Sequence, residues 1–82
     1  IATISGTCNV EGAKVYLESD PSIFTYVLDG KYELNVPTTT NAFVIFEATG
    51  YKNSRVGIGV AALIQSANTN TPFVRNITMS GN

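Results

Sequence analysis

The sequence predicts an all-β domain: an antiparallel sandwich of seven to eight short strands. Three observations carry this. Short runs of residues alternate apolar with polar at a period of two, the signature of half-buried strands. Turn signals built on Gly, Asp, Asn and Pro recur at intervals of roughly ten residues. The chain has 82 residues, of which 44% are hydrophobic, enough for one core but not two. Residues 1–82 therefore read as a single domain, and chains of this size bury only about 60–65% of their unfolded surface.

The first strand is expected at Thr3–Cys8, with Ile4, Gly6 and Cys8 on one face. Asn9–Gly12 is a turn. Ala13–Glu18 alternates, with Ala13, Val15 and Leu17 inward and Lys14, Tyr16 and Glu18 outward. Ser19–Ser22 interrupts the pattern, and Ile23–Leu28 resumes it as far as the Asp29-Gly30 turn, where Gly tolerates the positive φ of a tight hairpin. Lys31–Val36 places Tyr32, Leu34 and Val36 on one face. Pro37 stops the ladder for want of an N–H. Ala42–Thr49 follows, with Val44, Phe46 and Ala48 inward and Phe43 and Ile45 outward, and Tyr51–Ile58 is the next strand.

Val56-Gly-Ile-Gly-Val60 alternates large residues with glycine, which suits a strand close to another backbone. Ala61–Gln65 fits either a continuation of that strand or one helical turn. Ser66–Pro72 reads as a polar loop and Phe73–Ser80 as the last strand, so helix content is expected to be close to nil. The expected core is Ile4, Val15, Leu17, Tyr32, Leu34, Val36, Val44, Phe46, Ile77 and Met79.

Composition excludes several functions. The chain has no His and one cysteine, which removes the commonest general base, the commonest metal ligand and any internal disulfide. Ser or Cys8 as a nucleophile has no His partner, so Cys8 reads as a buried structural thiol. Glu18, Asp20, Asp29 and Glu33 fall at turns or outward positions and not in one cleft. Asp20 and Asp29 lack the repeated oxygen ligands that calcium needs. The expectation is no catalysis, no cofactor and no metal. Net charge is −1, with five basic residues scattered singly, which is no footprint for nucleic acid. No run reaches the ~18 apolar residues of a membrane span. Only 13% of residues are charged, against ~25% in ordinary soluble domains. Thr, Ser and Asn supply the polar surface instead, a dress common in extracellular or cell-surface β-proteins. The chain begins at Ile1 and not Met, as a processed or partial product would.

Four short motifs in order, Ile4-Ser-Gly-Thr7, Gly12-Ala-Lys-Val-Tyr-Leu17, Asp29-Gly-Lys-Tyr-Glu-Leu-Asn-Val-Pro37 and Ala48-Thr-Gly-Tyr-Lys52, resemble the carboxypeptidase regulatory-like domain. The resemblance implies a transthyretin-like (prealbumin-like, broadly Ig-like) sandwich, with Asn76–Met79 in its last strand, and an accessory module without catalysis. Cys8 departs from the branched aliphatic usual there, and Val56–Pro72 is longer and more apolar than the family's connection. The related collagen-adhesin B-type domains form a Lys–Asn isopeptide bond beside a buried acid. Glu47 stands where that acid would be, with Asn76 or Asn82 as acceptor, but the first strand has no lysine and Lys14 points outward.

Candidate binding features are fewer. Tyr16, Phe24, Tyr26 and Tyr51 could form a sugar platform, although packing along the strands accounts for such aromatics too. Asn76-Ile77-Thr78 is an N-glycosylation sequence with Asn76 outward if Ile77 is in the core. Thr38–Thr40 and Thr69–Thr71 could carry O-linked sugar.

Excess apolar surface is the main oddity. The outward pair Phe43 and Ile45 joins the uncharged run Val56–Ile64, and one small sandwich core cannot hide both. Either that run folds back over Phe43 and Ile45, or a neighbouring subunit covers Phe43, Ile45, Val56, Ile58, Val60, Leu63 and Ile64. The second reading predicts a homo-oligomer or homopolymer, a structural subunit of a pilus-like or surface filament built by strand addition or an apolar face. The alternative is a carbohydrate-binding accessory domain of a secreted or surface protein.

Overall fold

At the Asp29-Gly30 turn both residues are left-handed, with φ of 54° and 74°. Leu28 and Lys31 exchange backbone hydrogen bonds around them, the type I′ geometry whose twist matches that of the strands it joins. The carboxylate of Glu11 accepts from both turn N–H groups, at 2.8 Å from Asp29 and 3.0 Å from Gly30. This turn joins the strand Asp20–Tyr26 to the strand Lys31–Val36. The computed structural model describes residues 1–82.

Seven strands and one helix follow in order: β1 (Ala2–Thr7), β2 (Lys14–Leu17), β3 (Asp20–Tyr26), β4 (Lys31–Val36), β5 (Ala42–Glu47), β6 (Ser54–Ile58), α1 (Val60–Thr69) and β7 (Phe73–Val74). They form two sheets, one of three strands in the order β4-β1-β7 and one of four in the order β3-β2-β5-β6. Both sheets contribute to one hydrophobic cluster. All ten residues expected in the core lie in it, with Tyr32 and Phe46 meeting edge to face at 4.9 Å between ring centroids. Alternation is cleanest in β4, where Tyr32, Leu34 and Val36 are buried and Lys31, Glu33 and Asn35 are exposed.

The expectation of almost no helix is corrected by α1. Ala61, Ala62, Leu63 and Gln65 are good helix formers, and Leu63 is completely buried while Ala62 and Ala67 pack against the core. The periodicity was hidden by Ser66, a polar residue at a buried helical position whose hydroxyl donates to the Thr71 carbonyl. The first N–H of the helix, on Val60, donates to Asn41 Oδ1 at 2.9 Å. At the far end Asn70 turns left-handed and the Thr71 N–H returns to the Ser66 carbonyl, a Schellman closure. The helix thus connects β6 and β7, edge strands of different sheets, and packs on β1 and β7.

Three further expectations change. The sandwich is not wholly antiparallel, because β7 pairs parallel with β1. The last strand is only Phe73–Val74, followed by an irregular stretch that rejoins at an isolated Cys8–Ile77 bridge. Gly57 lies against a ring and not a neighbouring backbone: a Cβ there would lie 3.0 Å from Phe43 Cε1, and the exposed ring would have to shift.

The C-terminal stretch is held to β1 by side chains acting as peptide groups. Asn76 Oδ1 accepts the Thr7 N–H at 3.0 Å. The Asn9 amide pairs with both the N–H and the carbonyl of Met79, at 2.7 and 3.0 Å. The Arg75 carbonyl crosses Gly6 so closely that a Cβ there would sit 2.1 Å from its oxygen. Only glycine fits.

Candidate association face

The outer face of the four-stranded sheet gathers three of the large hydrophobic residues that the fold leaves exposed, Phe24, Tyr26 and Phe43. Alternation sends Lys14 and Tyr16 of β2, Phe43, Ile45 and Glu47 of β5, and Arg55 of β6 to that side. The register sets them in rows: Tyr26 beside Lys14 beside Glu47, then Phe24 beside Tyr16 beside Ile45 beside Arg55, with Phe43 opposite Gly57. Phe24 is 49% exposed, Tyr26 53% and Phe43 36%. Ile45 is buried yet stands outside the core cluster, as an outward aliphatic does when flanked by larger side chains.

Two cations lie on this face against the rings. The Arg55 guanidinium sits 4.1 Å from the Phe43 ring centroid and grips Glu18 through two hydrogen bonds of 2.9 and 3.0 Å. That hydrogen-bonded pairing holds the Glu18 carboxyl below its usual range and raises Arg55. Lys14 Nζ lies 5.1 Å from the Phe24 ring and 5.6 Å from Tyr16, and Phe24 meets Tyr26 edge to face at 5.8 Å. Cation–π contacts of this kind contribute about 0.5–1 kcal/mol at exposed sites. They also order the face, since the long side chains are already placed.

The residues expected at an assembly interface divide sharply. Val56, Ile58 and Leu63 belong to the domain's own core and cannot meet a neighbour. This is a correction, and its cause is geometric: β6 turns Val56 and Ile58 inward, and the helix turns Leu63 inward. Ile45 is shielded, Val60 is half-buried at the start of the helix, and Ile64 is exposed on α1. Phe43 is the exposed member of the set on the sheet. The run Val56–Ile64 does fold back on its own domain, but α1 packs on β1 and β7 and not over Phe43 and Ile45.

Of the proposed sugar platform, Tyr16, Phe24 and Tyr26 come together, while Tyr51 stands apart in a cleft of about 480 Å³ shared with Glu11, Lys14 and Glu47. The three clustered rings do not make one flat platform, because Phe24 and Tyr26 are edge to face and Lys14 lies over two of them. Asn76 and Thr78 are exposed and Ile77 is buried. Lys14 and Glu47 are cross-strand neighbours on the outer face of one sheet, and Asn76 is joined to the other. Asp20 accepts from the N–H and hydroxyl of Ser22, Asp29 lies in its turn, and Glu33 opposes Ser5 on the three-stranded sheet. No three acidic or sulfur side chains gather as a metal site would require. Cys8 is buried. No helix is long and apolar enough to cross a membrane.

Sequence reasoning found Phe43 and Ile45 as outward residues, and it found the three clustered aromatics. It missed that Arg55 and Lys14 would cover rings, although both are outward by the same alternation. Comparison with known protein families, with curated protein sequences and with solved structures finds no match.

Proposed function

We propose that this domain is a non-catalytic structural module that self-associates through the outer face of its four-stranded sheet, as a subunit of an extracellular or cell-surface filament. One observation carries the reading: Tyr26, Phe24, Tyr16 and Phe43 line one sheet face that the helix leaves bare. Exposed apolar patches of this kind mark contact surfaces, and aromatics with Arg are the residues enriched at interface centres. Hiding the face removes apolar area from water at about 25 cal/mol per Å². The low charge of the chain, 13% of residues, leaves little electrostatic repulsion against close packing of copies.

Association by an apolar face replaces association by strand addition of Val56–Ile64, whose large side chains are mostly used within the domain. The resemblance to carboxypeptidase regulatory-like domains supports an accessory role, and two sheets on one core are compatible with the sandwich it implies. The non-catalytic reading is supported by the separate placement of Glu18, Asp20, Asp29 and Glu33 and by the want of His in the chain. Filament growth requires the face to meet a different surface of the next copy, since a face that meets itself closes a dimer.

Negative-stain imaging of the purified protein over a range of concentrations tests the reading. Filaments or ordered oligomers that lengthen with concentration are expected. Isolated particles at every soluble concentration would overturn it.

A further inference from the structure

A second feature is a groove of about 530 Å³ where the three-stranded sheet meets β3, lined by outward residues of β1 and β4 and reaching Gly6 and Tyr32 at its base. Tyr26 and Leu28 rise on one side of it, at the seam where β3 passes β4, and Val74 of β7 on the other. Its floor is made of side chains from paired strands: Glu33 beside Ser5 beside Val74 in one row, Lys31 beside Thr7 in the next. We propose that this groove binds a neutral oligosaccharide. The groove shares Tyr26 with the association face, but its floor on β1 and β4 lies on the other sheet, so substitutions at Glu33 and Phe43 test the two proposals separately.

The chemistry of the lining selects the ligand. Strands β1, β4 and β7 pair across the floor, so the groove presents hydroxyl, carboxylate, ammonium and amide groups in place of a free backbone ladder. A sugar hydroxyl can donate to Glu33 and accept from Lys31, and neither group has an intramolecular salt-bridge partner. One carboxylate and one ammonium leave the floor without net charge, so it favours neither a phosphate nor a cationic ligand. Asn76 at the rim is already fixed, because its Oδ1 accepts the Thr7 N–H. Its amide N–H groups remain as donors of set direction. Tyr26, Leu28 and Val74 offer apolar surface to the C–H faces of a sugar, and they are 53%, 70% and 62% exposed.

Dimensions agree. Strands lie about 4.8 Å apart and same-face residues about 7 Å apart along a strand, so the polar groups form a grid on the scale of a pyranose ring. The volume falls within the ~300–1,000 Å³ of small-molecule sites. An extended peptide is the competing occupant, and it would pair with β4, an edge strand of its sheet, instead of lying on side chains.

The test is NMR titration of the intact ¹⁵N-labelled chain with a panel of neutral oligosaccharides up to about 10 mM. At least one sugar is expected to give saturable shifts at Ser5, Thr7, Lys31 and Glu33. Tyr26→Ala should weaken that binding roughly tenfold, and Glu33→Gln about fivefold with an unchanged thermal melt. Phe43→Ala, on the other sheet, should leave it unaltered. A panel with no saturable shift overturns the proposal. So do shifts that map to β2, β5 and β6 and not to the groove, or a response along the β4 edge to an extended peptide pool and none to sugars.

Discussion

The Tyr32 hydroxyl donates to the Arg75 carbonyl oxygen at 2.6 Å, from a ring buried in the core to a backbone group beyond the end of β7. Gly6, opposite Tyr32 on β1, leaves the space through which the carbonyl approaches. Strand β7 is two residues long, and this bond and the Asn9 and Asn76 contacts reinforce the backbone hydrogen bonds from Arg75 to Ser5 and from Ile77 to Thr7 that continue along β1. Replacing Gly6 with Ala should cost about 3 kcal/mol or more, since the new Cβ meets backbone and not a flexible side chain. Tyr32→Phe should cost about 1–2 kcal/mol by leaving the Arg75 carbonyl without that partner. Urea unfolding of both variants measures the differences, and a neutral Gly6→Ala would contradict the packing at this crossing.

Burial pushes the Tyr32 hydroxyl up to about 12 from 10. Its folded value lies above its unfolded one, so its contribution is fully present below pH 10 and is lost as pH rises toward 12. The loss amounts to about 2–3 kcal/mol. Denaturant midpoints measured between pH 8 and 12 should fall across that window, and the part due to Tyr32 should be absent in Tyr32→Phe. An equal slope in the two proteins would mean that Tyr32 ionises as freely in the folded state as in the unfolded chain.

Leu63 is the residue through which the helix joins the core. Leu63→Ala should lower stability by about 2–5 kcal/mol, while Ile64→Ala, on the exposed side, should change it by no more than about 0.5 kcal/mol. Thermal melts of the two variants compare these values. Similar effects from both would place α1 differently.

The strands were legible because alternation is a local signal and most of the domain's strands bury one face. Lys31–Val36 has the bounds the pattern assigns, and Phe43 and Ile45 point outward as alternation requires. The helix was not legible, because its buried stripe includes Ser66 and because Val56–Val60 continues the strand pattern to the first helical residue. Asn70 and Pro72 carry a helix stop signal, but it is readable only once a helix is suspected. The parallel pairing of β7 depends on which edge the helix returns the chain to, and that is a tertiary fact. The groove was invisible for the same reason: Tyr26, Lys31 and Val74 meet only when β3, β4 and β7 are in place.

Sedimentation velocity of the wild type beside Phe24→Lys and Phe43→Lys tests most directly whether the outer face of the four-stranded sheet joins copies of the chain. Both side chains are outward, so either lysine reaches solvent in the isolated domain, and losing the cation that rests on the replaced ring should cost the folded monomer only about 1 kcal/mol. In an assembled contact the added ammonium would be buried without a partner, which is very costly. The wild type is expected to sediment faster as concentration rises, while both variants sediment as folded monomers at every concentration. A wild type that stays monomeric, or variants that associate as it does, would contradict the claim that this face joins copies of the chain.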